Sequence, residues 1–424
     1  MQKNQEIMTL PSGFIEMMRN LLGEECGDFL LAMQKSPVCS VRLNSRKPGA
    51  SFGGAVPVKW CDTGFYLPQR PVFTLDPLLH AGAYYVQDAS SMIYREVTSR
   101  ILNALGDGEA APPVCAVDMC AAPGGKTTAI IDALPDGSRV IANEFVAKRA
   151  AILRENLTKW GYPDVTVTNR DTSFFSESGD LFDIVAVDAP CSGEGMMRKD
   201  DDAVSQWSPN LIENCARLQR EILTNAAACI KPGGFLIYST CTFNRIENEE
   251  NAGFIADELG LLPFDPAFPD EWGIPRGIDT SLPVYRFLPH KTQGEGLFLA
   301  VFRKPGEWIP PYLNISNDTS PKTANRKMKD KRPLTQGKGK NDNGDVPGIE
   351  EILSLDFDRS RFPEAELTKE QAVAYLRRES IVLGPDTPKG IVIVTYKGLP
   401  LGAAKNIGTR ANNLFPKNWR IRMN

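Results

Sequence analysis

A chain of 424 residues has room for two or three domains, and 42 % hydrophobic with 24 % charged residues is the balance of an ordinary globular protein. The net charge of −4 excludes a chain that is basic throughout, so any nucleic-acid surface has to be a local patch. Nine cysteines without a C-x-x-C pair and only two histidines offer no zinc pattern, and no apolar run approaches a membrane span, so neither a metal nor a membrane partner is expected. With no basic-then-apolar leader at the start, the expected compartment is the cytoplasm, where thiols stay reduced.

Residues 1–110 read as a small α+β extension. Residues 10–33 carry one or two short amphipathic helices with Pro11 near the start, and 40–44 and 64–68 read as strands separated by glycine-rich turns. Tyr85-Val86-Gln87-Asp88-Ala89-Ser90-Ser91 brings aromatic and polar groups together just ahead of a helix over 92–105, where Asp88 or Ser90 reads equally as a helix cap or as a functional group.

Residues 111–308 alternate strand and helix. The apolar run 114–117 leads into Asp118-Met119-Cys120-Ala121-Ala122-Pro123-Gly124-Gly125-Lys126-Thr127, and Thr128, Ile130, Ile131 and Leu134 follow at helical spacing, which makes a strand, a glycine turn and a helix N-terminus. Such a turn lets the backbone approach a ligand and favours an anionic or carboxylate-bearing group at the helix start. A phosphate-cradling loop of the form G-x-x-x-x-G-K-[ST] fails, because its first glycine position is Cys120. A nucleoside-type cofactor in a Rossmann-like crevice needs an acid at the end of the next strand, about 20 residues on, and Glu144 closes the strand 140–144 at that distance from Gly124. A glycine turn with no ligand is the remaining alternative.

Beyond Glu144 a helix places Ile152, Leu153, Asn156, Leu157 and Trp160 near one face and stops at Gly161. Strands over 165–168 and 182–187, a helix over 210–230 and a strand over 235–238 complete a pattern expected to form a parallel sheet covered on both faces. Ligands then bind at the carboxyl ends of the strands, which singles out Asp118, Glu144, Asp171, Asp188 and Cys241, although Asp at a strand end also serves as a plain helix cap.

Two thiols follow strands. Cys191 stands in Asp188-Ala189-Pro190-Cys191-Ser192-Gly193-Glu194-Gly195 and Cys241 in Ser239-Thr240-Cys241-Thr242, so both open onto the crevice of the glycine turn, while Cys215 and Cys229 read as small buried hydrophobes in a helix. A thiol beside a nucleoside cofactor suits one reaction in particular. The C5 carbon of a pyrimidine is too poor a nucleophile to take a methyl group; addition of a thiolate to C6 makes C5 able to attack the methyl sulfonium of S-adenosylmethionine. Cys241, Asp188 and Cys191 fit the posts of nucleophile, carboxyl near N3 and release group, and the residues alone leave open which thiol attacks.

Residues 309–347 lose apolar periodicity and gain Lys322, Arg326, Lys327, Lys329, Lys331, Arg332, Lys338 and Lys340, which makes a flexible basic linker the expectation. Residues 348–424 read as a small domain with a helix over 368–378, a strand over 390–396 and a turn at 398–402 into another strand. Its last 30 residues carry Lys397, Lys405, Arg410, Lys417, Arg420 and Arg422 with no acid, and Tyr396, Phe415 and Trp419 interleaved suit phosphate contact with base stacking.

The stretches 118–127, 188–195 and 239–242 together resemble the RNA 5-methylcytosine methyltransferases of the RsmB/RsmF (Nol/Nop/Sun) family. Ser40-Val41-Arg42-Leu43-Asn44, the run 85–91 and Arg286-Phe287-Leu288-Pro289-His290-Lys291 are similar to its RsmF type, and 401–405 with 416–420 look like the PUA-like C-terminal domain of that type. The resemblance covers nearly all of residues 10–305 and resumes near the C-terminus. It implies a Rossmann-like class I methyltransferase core with an N-terminal α+β extension and a C-terminal RNA-binding domain, acting as a monomer on ribosomal RNA or the small ribosomal subunit. It also implies Cys241 as nucleophile, Cys191 as the thiol that assists release, and Asp188 beside methyl donor and base. S-adenosylmethionine would be held by Cys120, Ala121, Ala122, Pro123, Gly124, Gly125 and Lys126, by Glu144 on the ribose, by Asp171 near the adenine, and by Asp188. His290 reads either as an RNA-positioning group or as a packed imidazole. Two rivals stand beside this reading: a non-catalytic RNA-binding factor on the same fold, separable by cofactor binding, and a nucleotide hydrolase, disfavoured at Cys120.

Overall fold

The computed structural model describes residues 9–310 and 346–423. The expected basic linker with Lys322 to Lys340 lies outside the described residues. At the N-terminus, α1 (Ser12–Leu22) and α2 (Cys26–Met33) are followed by β1 (Ser40–Leu43), β2 (Val56–Val58), β3 (Cys61–Tyr66), α3 (Pro77–Ala81) and β4 (Tyr84–Val86). The four strands form an antiparallel sheet in the order β2-β3-β1-β4. Buried Arg42 in β1 reaches out of this sheet into the core, and α4 (Ile93–Leu105) carries the chain there.

The core comprises β5 (Cys115–Asp118), α5 (Gly125–Ala133), β6 (Arg139–Asn143), α6 (Ala147–Trp160), β7 (Val165–Thr168), α7 (Ser173–Ser178), β8 (Phe182–Asp188), α8 (Asp201–Gln206), α9 (Pro209–Ala228), β9 (Ile230–Thr240), α10 (Glu249–Asp257), β10 (Leu262–Pro263), β11 (Tyr285–Phe287) and β12 (Leu297–Arg303). Its sheet runs β10-β12-β9-β8-β5-β6-β7, with β11 also on β12. The five strands from β9 to β7 are parallel. Alternate residues of the buried strands feed opposite faces: Ile184, Ala186 and Ile237 join one apolar cluster, Val185, Val187 and Leu236 the other.

Several expectations are corrected. The sheet is mixed rather than parallel, because β12 returns antiparallel to β9 and takes β10 and β11 antiparallel on its far side. Leu297 to Phe302 are all buried, so the apolar pattern of β12 carried no information on its direction. Ile152 points outward at 52 % exposure, since one residue of α6 turns it about 100° from Leu153, which packs inward with Leu157 and Trp160. The helix expected over 210–230 ends at Ala228, and Ile230 opens β9. Cys229 is buried as expected, whereas Cys215 is half-buried on α9.

The C-terminal unit holds β13 (Glu364–Glu366), a helix at Lys369–Leu376 with a Thr368–Gln371 capping box, β14 (Gly390–Tyr396), β15 (Leu399–Asn406) and β16 (Ala411–Asn413), in the order β13-β14-β15-β16. The hairpin turn is Lys397-Gly398, both at positive φ (48° and 75°), so Leu399 and Pro400 already belong to a strand and the turn expected at 398–402 is shorter than read. Phe415 is buried against Tyr375 and Trp419, so it is withdrawn from the expected base-stacking set; Tyr396 and Trp419 also pack on this core. One buried cation joins the three units: Lys47 Nζ donates to the carbonyls of Lys159 (2.7 Å), Leu353 (2.7 Å) and Ala81 (3.2 Å). No helix among the described residues is long and apolar enough to cross a membrane, and among them no cluster of three His, Cys, Asp or Glu could hold a metal ion.

Candidate active site

Chain order reverses between β5 and β8, and a crevice opens where the carboxyl ends of these neighbours diverge. β5 ends at Asp118, which is fully buried; its Oδ2 accepts the Thr127 hydroxyl at 2.6 Å, while Oδ1 is buried with no partner. Burial pushes this carboxyl up to about 7. The chain then turns through Cys120 to Gly124, with Ala121 N–H donating to the Asn143 carbonyl, and enters α5 without a side-chain cap. Gly124 sits at φ 109°, a backbone position that favours glycine, and a Cβ on Gly125 would press against the Tyr85 ring and the Gln87 amide at 3.3–3.4 Å.

Beside this turn lies a cavity of about 160 Å³ bounded by Tyr85, Gln87, Asp88, Ser91, residues 120–123, Gly125, Lys126 and Asp188. A larger one of about 240 Å³, among Leu79, Tyr84, Asn156 and Trp160, contains none of the strand-end acids or thiols. The smaller cavity has what a cofactor with an amino-acid tail requires: close backbone approach, a helix N-terminus and an unpartnered buried donor, Gln87 Nε2, in its wall. S-adenosylmethionine therefore fits the residues present.

Glu144 follows β6 directly and is 3 % exposed; one oxygen accepts Val146 N–H at 2.8 Å and the other lies 3.3 Å from Arg149. Asp171, beyond β7, is exposed and caps α7 through Ser173 N–H at 2.9 Å. These two acids lie on the β6–β7 side of the glycine turn, while Asp188 and both thiols lie on the β8–β9 side. The Cys120 thiol, enclosed between the groups, is pushed well above its usual range by burial and by Asp118, Asp188 and Glu144.

Asp188 ends β8 in a fixed pose. Its Oδ1 accepts the Ser239 hydroxyl at 2.7 Å, and that hydroxyl is 2.8 Å from the Tyr94 hydroxyl; its Oδ2 pairs with Lys126 Nζ at 2.9 Å. Burial works against the Lys126 charge, but Asp188, with smaller help from Cys241 and Asp88, more than offsets it and raises the pKa. The loops after β8 and β9 bring the two sulfurs together, Cys191 Sγ to Cys241 Sγ at 3.2 Å. Cys191 is pushed well above the usual thiol range, first by its hydrogen bond to the Cys241 sulfur and then by burial and Glu247.

A buried polar frame holds this thiol pair. Glu194, fully buried, accepts the backbone N–H of Phe243 (2.6 Å) and Asn244 (2.9 Å) on one oxygen, and Trp207 Nε1 (3.0 Å) and Asn244 Nδ2 (3.2 Å) on the other. Glu247 answers from the other loop, taking Ser192 N–H at 3.0 Å, Gln219 Nε2 at 2.7 Å and Asn244 Nδ2 at 2.8 Å. Ser192 and Thr242 hydroxyls meet at 2.9 Å, and Gly195 N–H donates to the Cys241 carbonyl at 2.8 Å. Sequence reasoning missed Tyr94, Ser239, Asn244 and Glu247 as partners of the site and gave Glu194 no role. No periodicity marks them, and only the density of polar residues around each cysteine hinted at a hydrogen-bonded frame.

Other sequence readings resolve locally. Asp88 does cap, through Ser90 N–H at 3.0 Å, and also accepts Glu295 N–H at 3.0 Å, whereas the Ser90 hydroxyl caps nothing. His290 is a packed imidazole: its side chain is 5 % exposed, edge-on to Phe29 and 3.1 Å from Glu25. Arg286 is buried in a two-pronged pair with Glu249 and donates to the Phe243 carbonyl at 2.6 Å, another tie on the Cys241 loop.

Comparison with known proteins gives three family matches: 16S rRNA methyltransferase RsmB/F over 110–303, the N-terminal domain of 16S rRNA methyltransferase RsmF over 10–89, and the methyltransferase RsmF PUA domain over 362–421. A relative from Escherichia coli (strain SMS-3-5 / SECEC), ribosomal RNA small subunit methyltransferase F, is 30 % identical, with 97 % of each chain covered. Among solved structures, a methyltransferase homologue protein from Pyrococcus horikoshii is 26 % identical with a TM-score of 0.58, covering 70 % of this chain and 96 % of that one. NSun6 from the same organism, solved with SFG, shares the fold at 21 % identity and a TM-score of 0.58, covering 70 % of this chain and 99 % of that one.

Proposed function

The chain belongs to the 16S rRNA methyltransferase RsmB/F family, and on that premise we propose that it methylates C5 of a cytosine in small-subunit ribosomal RNA through a transient bond between Cys241 and C6. The observation that carries this reading is the 3.2 Å contact of Cys191 and Cys241 at the strand ends next to Asp188 and the glycine turn. Two interacting thiols beside a nucleoside crevice suit a reaction that needs one sulfur to add and a second group to release.

S-adenosylmethionine would be held by residues 120–126, Glu144, Asp171 and Asp188, and would supply an electrophilic methyl group. Cys241 as thiolate adds to C6, and the electron pair of the C5=C6 bond moves to C5, which would take the methyl group as its bond to the sulfonium breaks and that pair stays on the sulfur of S-adenosylhomocysteine. Asp188, held by Ser239 and Lys126, takes up a proton as the base enters and donates it to N3, which neutralises the charge that builds on the ring. Cys191 keeps its proton while its neighbour is anionic. Once Cys241 is bonded to carbon that negative charge is gone, so Cys191 can ionise to solvent and then take the C5 proton. The C5=C6 bond re-forms and Cys241 leaves. The base has to present both C5 and C6, so it enters unpaired or flipped from its stack. The N-terminal unit and the PUA domain, with Lys405, Arg410, Lys417 and Arg420, serve the RNA.

Cys241→Ala is expected to abolish methyl transfer while S-adenosylhomocysteine still binds by calorimetry. Cys191→Ala is expected to accumulate a protein–RNA adduct, seen as a shifted band in denaturing gels. Turnover by Cys241→Ala would refute the scheme, and an adduct formed by that variant would reverse the two thiols.

A further inference from the structure

Gln87 is buried to 7 % exposure at the edge of the cofactor cavity. Its Oε1 accepts Arg42 Nε at 2.9 Å, and because arginine only donates, the amide cannot be turned the other way round. Arg42 is itself immobilised: its side chain lies fully buried 4.6 Å over the Trp160 ring, donates to Thr128 Oγ1 at 2.5 Å and pairs with Asp132. The Gln87 Nε2 amino group thus faces away from Arg42, buried and without a partner. It is 3.4 Å from where a Cβ of Gly125 would stand, directly beside the first residue of α5. The first N–H groups of that nine-residue helix have no intrahelical acceptors, and Gly124 provides no side-chain cap. Two sets of donors, one on a side chain and one on backbone, converge on a cavity wall where a single anionic group satisfies both.

We propose that Gln87, braced by Arg42, binds the carboxylate of the amino-acid tail of S-adenosylmethionine together with the N-terminus of α5. This assignment rests on the reading of the glycine turn as an S-adenosylmethionine site and adds a binding residue from the N-terminal unit, outside the core that holds the rest. One structural consequence is that Arg42 acts as a positioning residue, coupling the N-terminal sheet to cofactor affinity.

The test uses the full chain, two ligands and calorimetry. S-adenosylhomocysteine has the carboxylate; 5′-methylthioadenosine has the same nucleoside and thioether without it. Gln87→Glu keeps an oxygen for Arg42 and replaces the donor with a negative charge, and Gln87→Leu removes both. Losing a hydrogen bond to a charged group weakens S-adenosylhomocysteine by roughly ten- to hundredfold in either variant, more in Gln87→Glu, with 5′-methylthioadenosine held within about twofold. Equal loss of both ligands, or unchanged S-adenosylhomocysteine affinity in Gln87→Glu, overturns the assignment. Failure of the unmodified protein to bind either ligand would instead overturn the cofactor reading beneath it.

Discussion

Replacing Glu194 by glutamine tests whether the buried frame, rather than the cysteines themselves, sets the geometry of the thiol pair. The carboxylate accepts four N–H groups, two on each oxygen, from Phe243, Asn244 and Trp207. An amide keeps only one acceptor. If its oxygen stays on the backbone of Phe243 and Asn244, its NH2 faces the Trp207 indole N–H and the Asn244 amide, donor against donor. The half-buried Trp207 N–H loses its acceptor, while the Asn244 amide keeps Glu247 and Thr242, so the cost is about 1–3 kcal/mol. At roughly 2–4 °C per kcal/mol for a unit of core size, the thermal midpoint falls by about 2–10 °C. Phe243 and Asn244 directly follow the Cys241 loop, and a misplacement of about 1 Å at a reacting group costs on the order of a hundredfold. Single-turnover incorporation of labelled methyl groups into small-subunit RNA should therefore slow by roughly ten- to hundredfold, while S-adenosylhomocysteine affinity by calorimetry stays unchanged, because the partners of Glu194 are Trp207, Phe243 and Asn244 and none belongs to the glycine turn. A Glu194→Gln protein that melts with the unmodified chain and transfers methyl groups at the same rate would refute the argument that this carboxylate positions Cys241.

Asp118→Asn probes the buried acid below the turn. Its folded pKa of about 7 lies above the ordinary carboxyl value of 3.8, so the folded chain holds a proton that the unfolded one releases. That contribution to stability is fully present below the unfolded value and is lost as pH rises to about 7. The stability of Asp118→Asn relative to the unmodified protein should accordingly grow from pH 4 to 7 and level off above, as followed by denaturant midpoints; a pH-independent difference would sink this account. Lys47→Met removes the donor from three carbonyls in three units, at a cost of roughly 2 kcal/mol. Hydrogen exchange should accelerate at 349–376 with cofactor affinity unaffected, and unaltered exchange there would show that the C-terminal unit is held by other contacts.

The candidate site was legible because it depends on residue types at strand ends. Glu144, Asp188, Cys191 and Cys241 each follow an apolar run, and the rule that ligands meet the carboxyl edge of a parallel sheet converts that position into a site. Where periodicity was weak or symmetric the reading failed. β12 is apolar at every buried position, so nothing in it distinguished antiparallel from parallel, and Phe415 has the same composition in a core as on a stacking surface.

By itself the sequence determined the strand-and-helix core, the glycine turn and the position of the two thiols after strands, since strand runs, glycines and cysteines act through neighbours a few residues away. Only the tertiary structure decided what holds them. Glu194 meets Phe243 and Asn244 across about fifty residues, and Arg42 meets Gln87 across 45 and Asp132 across 90. Hydrogen-bond partners so far apart in the chain become neighbours only when the sheets have packed, because a polar side chain leaves water only where the fold supplies its complement.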